Sequence, residues 1–201
     1  QIMIHGGANM AFTPADVEAH RDIIDTSDFV VAQFESAVDS TVEAFKIAQA
    51  AGVRTILNPA PAMEKVPAEL LAVTDMIVPN ETETETLTGI AITDEASMLK
   101  ASAALHALGI SAVIITIGSK GAFYDIDGRH GIVPAFKVEA VDTTSAGDTF
   151  IGAMSSVLNK DFSNLEDAIR SGNRASSIAV QRFGAQPSIP YKNEITAAEG
   201  K

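Results

Sequence analysis

The sequence predicts an α/β fold, a mostly parallel sheet with helices on both faces, and three observations carry that prediction. Strand-length apolar runs alternate with segments of helical period between Phe29 and Ile117, the pattern of strand–helix–strand crossovers. Several of those runs are apolar without alternation, Val113-Ile114-Ile115 being the clearest, as strands buried on both faces are. The unusual polar residues fall where the runs end: Glu35, Asn58, Asn80 with Glu83, Gly118 to Gly121, and Asp142 to Asp148. That is the edge at which open α/β sheets gather ligands.

Taken in order, Ile2 to Ile4 reads as a short strand and His5-Gly6-Gly7-Ala8-Asn9 as a loop without the G-x-G-x-x-G spacing of a dinucleotide site. Thr13-Pro14-Ala15-Asp16 has the form of a capped helix start, with Thr at the N-cap and Pro at the first helical position. Phe29 to Phe34 is a strand, Ser40 to Ala51 a helix stopped by Gly52, and Val53 to Leu57 the next strand, ended by Asn58-Pro59-Ala60-Pro61. Met76 to Val78 is another strand. A short helix over Glu81–Leu87 follows, then a longer one from Thr93 to Leu108, then the strand Val113–Ile117. Ala122 to Tyr124, a turn over Asp125–Arg129, and Ile132-Val133 predict an antiparallel hairpin near residues 122–133. Leu165 to Val180 is a helix, and Gly184 to Pro190 a loop with two prolines. Residues 1–195 are expected to form one core with no dividing linker, and 196–201 a frayed tail.

Composition narrows the functional classes. The 201 residues hold 46% hydrophobic residues but no uninterrupted apolar stretch of the roughly 18 that a membrane span needs. Acidic residues outnumber basic ones 26 to 14, a net charge of −12 with the cations scattered, which argues against a nucleic-acid partner. There is no cysteine, consistent with a reducing cytoplasm. The chain opens at Gln1 directly into an apolar run, so it is expected to lie inside a larger protein.

Chemistry concentrates in Val141 to Gly152, V-D-T-T-S-A-G-D-T-F-I-G. Asp142 and Asp148 flank a turn of small residues, and Phe150, Ile151, Ala153, Met154, Val157 and Leu158 follow at helical spacing. A helix beginning in that turn presents unpaired N–H groups and the positive end of its dipole, which suits an anion such as a transferring phosphoryl group. Asp148, on the first turn, is placed to accept a proton from an attacking hydroxyl. The same residues also read as an Asp capping a helix and a Gly shaping its entry. Asn80 and Glu83 likewise have two readings that can both hold: an N-cap with its capping-box partner, or an amide and carboxylate facing the water shell of Mg²⁺. Gly118-Ser119-Lys120-Gly121 can lie along a nucleotide but is no Walker motif. His5, His20, His106 and His130 have no metal-ligand spacing and read as surface or packing residues.

Five strings read together, N-P-A-P-A at 58–62, P-N-E-T-E at 79–83, T-I-G-S-K-G at 116–121, D-T-T-S-A-G-D-T-F at 142–150 and G-A-Q-P-S-I-P at 184–190, resemble the ribokinase branch of the ribokinase-like carbohydrate kinases, from Gly6 to about Pro190. The resemblance implies ATP-dependent phosphorylation of ribose at its primary hydroxyl. It makes Asp148 the base, has the N–H groups around Ala146 and Gly147 stabilise the phosphoryl charge, and gives Glu35 the sugar. Asn80 and Glu83 match an element tied to Mg²⁺ and phosphate. Thr116, Ile117, Gly118, Ser119, Lys120, Gly121 and Asn173, with Asn80 and Gly147, match the nucleotide site. A monovalent cation, usually K⁺, would map onto Asp142, Thr144, Ala179, Arg182, Gly184 and Ser188, several through backbone carbonyls. Members of the family begin with a further third of chain that carries a sugar-binding Gly-Gly motif and a β lid through which subunits pair, and neither is present here. The 201 residues alone are therefore expected to be inactive or nearly so, within a parent protein that is a homodimer. Kinases for deoxyribose, a nucleoside or another sugar share every motif, and a non-catalytic nucleotide-binding relative is the reading from another class.

Overall fold

The computed structural model describes residues 5–199. Six strands form one sheet in the order β1-β2-β3-β4-β5-β6, and backbone contacts divide the chain into two units, residues 1–115 with 125–129 and residues 116–124 with 130–201. The expected strand at Ile2–Ile4 lies outside the described residues.

The first unit opens with a 3₁₀ turn over Gly7–Ala11, where a loop was expected, and two short helices, α1 (Pro14–Glu18) and α2 (Arg21–Asp25). The Thr13 hydroxyl accepts from Asp16 N–H and the Asp16 carboxylate accepts from Thr13 N–H, the reciprocal box that the sequence predicts. β1 (Phe29–Ala32), α3 (Val38–Ala51), β2 (Arg54–Leu57), α4 (Ala68–Leu71), β3 (Met76–Ile77), α5 (Glu81–Thr88), α6 (Glu95–His106) and β4 (Ala112–Thr116) follow. The strands β1 to β4 run parallel, each paired with the next. The fully buried Phe45, Ile56, Leu57, Leu70, Met76, Ile77, Leu105, Ile114 and Ile115 pack around them, which accounts for the continuous apolar runs. Asp75 fixes the register of β2 against β3. Its carboxylate accepts from Arg54 at 2.9 Å and from Thr55 N–H at 2.8 Å.

β5 (Ala122–Ile126) and β6 (Arg129–Val133) are joined by Asp127 and Gly128, both at positive φ. That two-residue turn matches strand twist and makes the expected hairpin antiparallel. The second unit holds the hairpin outside residues 125–129, with α7 (Ala146–Ser155), α8 (Leu165–Ala179) and α9 (Lys192–Glu199). α7 and α8 approach so closely at Gly172 that a Cβ there would stand 2.8 Å from the Phe150 ring. α9 carries helix through Glu199, into the stretch expected to fray. Glu194 holds its start, accepting from Tyr191 N–H at 2.8 Å and from Arg182 at 2.5 Å.

Candidate active site

In the first unit the parallel register brings the carboxyl ends of β1, β2 and β3 to one edge, and the polar residues expected there follow directly: Glu35, Asn58 and Asn80. Phe34 N–H donates to Ala60 O at 2.8 Å, which sets the exposed Glu35 beside the 58–62 loop. The Asn58 amide donates to Val78 O at 2.8 Å, so its side chain clamps two strand ends together. Asn80 caps α5. Its Oδ1 accepts from Glu83 N–H, and its own N–H and Nδ2 donate to the two oxygens of Glu83, all at 2.8 Å. Only 7% of Glu83 is exposed. Burial pushes its carboxyl above the usual range, offset in part by those bonds from Asn80. The capping-box reading is therefore realised, and each carboxylate oxygen keeps one further lone-pair direction for a ligand or a metal-bound water.

In the second unit the turn before α7 is held by its own backbone. Ser145 sits in the left-handed region at φ 59°, a conformation that costs a non-glycine residue on the order of 1 kcal/mol or more. Ala146 O accepts from Ser176 on α8 at 2.8 Å, which pins the helix start. No side chain among the described residues caps α7. Of the two amides the resemblance joins at this turn, Ala146 N–H is already engaged, donating to Thr143 O at 3.2 Å. Gly147 N–H stands at the second helical position, where a helix offers no acceptor of its own. Gly147 has an ordinary φ, and a Cβ added to it would meet nothing within 4 Å, so neither backbone nor packing asks for glycine here. Asp148 follows on the same turn, exposed.

The segment that contains Asp142 is tied to the loop after α8. Val141 and Asp142 N–H both donate to Val180 O. One oxygen of Asp142 accepts from the hydroxyl and N–H of Thr144, and the other accepts from Gly184 N–H at 3.0 Å. The Thr144 hydroxyl first, then the Gly184 and Thr144 N–H groups, pull the Asp142 carboxyl down to about 2. Asp142, Thr144 and Gly184, from two distant sequence motifs, thus meet. Arg182 N–H donates to Ala179 O in the same loop, and its guanidinium is spent on Glu194. Ser188 is fully buried and bonded to Ala185 O. The remaining Asp142 lone pair and the backbone carbonyls of this loop are the kind of oxygen donors that a hard monovalent cation would need.

Gly118–Lys120 forms a 3₁₀ turn whose residues are exposed. Gly121 is demanded by the fold: its φ is 113°, and a Cβ would lie 2.1 Å from Val133 O. Asn173, buried on α8, donates to Val133 O at 3.0 Å and Pro134 O at 3.2 Å, so its amide donors are spent and Oδ1 remains as its acceptor. Asn173 and the Gly118–Gly121 turn meet through residues 133–135, a joint the sequence did not announce. A cavity of about 470 Å³ lies among α7, α8 and α9, with Asp148, Thr149, Val157, Ala175, Ile189 and Ile195 in its lining. Thr149 Oγ1 is buried without a partner among the described residues. No group of three or more His, Asp or Glu side chains is placed to hold a metal ion among the described residues. His20, exposed, and His106, half-buried, each turn a ring nitrogen to a backbone carbonyl, and His106 Nε2 also lies 3.4 Å from Asp125.

An exposed carboxylate on the first turn of a helix without a side-chain cap suits proton transfer beside a bound anion. The pfkB family of carbohydrate kinases matches residues 1–192, and the chain belongs to it. Among its relatives, a ribokinase of Staphylococcus aureus (strain COL) is 50% identical over 194 residues, 96% of this chain and 64% of that protein. A bifunctional ribokinase/ribose-5-phosphate isomerase A of Fructilactobacillus sanfranciscensis is 50% identical over 194 residues, 96% of this chain and 36% of that one. A solved structure of Arabidopsis thaliana ribokinase complexed with ribose and ATP has a TM-score of 0.91 at 32% identity, covering 98% of this chain and 64% of that chain. The chain thus spans less than two thirds of the length of these relatives.

Proposed function

We propose that this protein transfers the γ-phosphoryl group of ATP to the primary hydroxyl of D-ribose, giving ribose 5-phosphate and ADP. The reading is supported by relatives named ribokinase at 50% identity and by the Arabidopsis relative complexed with ribose and ATP. The observation that carries it is the start of α7: a glycine for which the fold has no use, followed by an exposed carboxylate on the first turn of an uncapped helix.

Asp148 accepts the proton of the sugar hydroxyl as its oxygen bonds to phosphorus and the bond to ADP breaks. Gly147 N–H and the positive end of α7 face the charge that develops on the phosphoryl oxygens, and the missing side chain lets that group come close. Glu35 hydrogen-bonds the sugar. The Gly118–Gly121 turn and Asn173 Oδ1 hold the nucleotide. Glu83, fixed by Asn80, would face the hydration shell of a Mg²⁺ ion, and the Asp142–Gly184 loop pair would hold K⁺. These ions supply neutralisation of phosphate charge. A cytoplasmic setting fits a cysteine-free chain that consumes ATP, while pairing of subunits rests on the resemblance alone.

Asp148→Asn, made in the protein as the cell produces it, tests the reading with D-ribose as acceptor and ADP release as readout. Turnover should fall on the order of 10³-fold with ATP affinity unchanged. Retained turnover would remove Asp148 as the base.

A further inference from the structure

Arg174, on α8 next to Asn173, is a half-buried cation with no carboxylate partner among the described residues. In a chain where acids outnumber bases 26 to 14, that is unexpected. Its guanidinium lies over the Phe136 ring, with Cζ 3.5 Å from the ring centroid, and its Nε is buried with no acceptor among the described residues. A buried donor left unmatched carries a cost, and the packing keeps it there. Phe136 belongs to the segment that Asn173 holds through Val133 and Pro134 and that Gly121 abuts. The stacked pair therefore stands at the joint of the nucleotide half of the site.

We propose that Arg174, backed by Phe136, is a base-contact residue that stacks on the purine of the nucleotide. The inference rests on the nucleotide reading of this joint given above. A guanidinium plane over an aromatic ring offers a second flat, electron-poor face, which attracts a purine and leaves its in-plane donors for ring nitrogens. A phosphate would take the charge but gain nothing from the flat stack, and that difference separates the two.

Titration of the protein with MgATP, adenosine and tripolyphosphate, for wild type, Arg174→Ala and Arg174→Lys, tests it. Arg174→Ala should weaken ATP and adenosine alike by about five- to tenfold and leave tripolyphosphate unchanged. Arg174→Lys should stay close to the alanine variant, because a lysine keeps the charge and loses the plane. Loss confined to tripolyphosphate and ATP would make Arg174 a phosphate ligand and overturn the proposal, as would full rescue by lysine or unchanged binding in Arg174→Ala. Wild-type protein that binds no nucleotide would overturn the functional reading itself together with this inference. Wild type that binds ATP, with alanine equal to it, defeats the inference alone.

Discussion

The Asn80–Glu83 pair and the Gly147–Asp148 pair each place a polar group at the start of a helix, and the fold treats them in opposite ways. Asn80 and Glu83 satisfy one another through three bonds at 2.8 Å, and Glu83 is buried. Their presence is explained before any ligand is considered. At α7 there is no side-chain cap among the described residues, a strained Ser145 precedes the helix, and a Cβ on Gly147 would meet none of them within 4 Å. A residue whose type the fold explains should cost stability when changed. One that the fold leaves unexplained should cost only chemistry.

Gly147→Ala is the sharpest way to break that comparison. The added methyl meets no atom of the chain within 4 Å, and alanine suits a helix better than glycine, so stability should hold or rise by about 0.5 kcal/mol. On the proposed reading the same methyl stands where the phosphoryl group approaches, so turnover with ribose should fall by roughly 100-fold, the scale of losing one oxyanion donor. Thermal unfolding and steady-state kinetics measured on one sample decide it. A loss of stability with normal turnover would reverse the roles given to the two helix starts.

How much of this was legible in the sequence follows the range of the interactions. The boxes at Thr13–Asp16 and Asn80–Glu83 span three residues and could be read directly, as could the buried parallel strands from their continuous apolar runs. The hairpin was legible because Asp127-Gly128 is a local turn code. Asn173 was assigned by resemblance, but that its amide donors go to Val133 and Pro134 depends on contacts 40 and 39 residues away. The clamp from Ser176 to Ala146 spans 30. Gly118 and Gly121 read alike in sequence, yet only the second would drive a Cβ into backbone, 2.1 Å from Val133 O. α9 was missed because its start is held by Arg182 and Glu194 and not by a strong helical period of its own.

Glu83→Ala probes the other helix start and should give a smaller effect. Removing the capping partner leaves the Asn80 N–H unmet, a loss of about 1 kcal/mol, read as a lowered melting temperature. Burial raises the Glu83 carboxyl above its ordinary value of 4.5, so its protonated form favours the fold. That contribution is full below pH 4.5 and is lost as pH rises through the raised value. The deficit of the alanine variant should therefore be larger at pH 4 than at pH 7. A deficit that grew with pH would mean that the bonds from Asn80 outweigh burial.

The smallest effect is expected at Asp142, where three N–H and O–H donors converge on a half-buried carboxylate and hold its pKa at about 2, below the ordinary 3.8. The sign is opposite to that of Glu83. The bonds are at full strength above pH 3.8 and fade as pH falls through about 2. Asp142→Asn puts an amide donor where at least one of those donors points, so the 142–144 segment should loosen from Gly184 at neutral pH. Hydrogen exchange at Thr144 and Gly184 should report the loosening, with wild type and variant converging toward pH 2. Because the pair is only half-buried, added salt should narrow the difference as well. The same variant should lose activation by K⁺ while its ATP affinity holds, since the carboxylate touches the loop pair and not the Gly118–Gly121 turn. Exchange that is identical in the two proteins at pH 7 would show that the segment is held by Val180 O alone, and the cation site would then need another anchor.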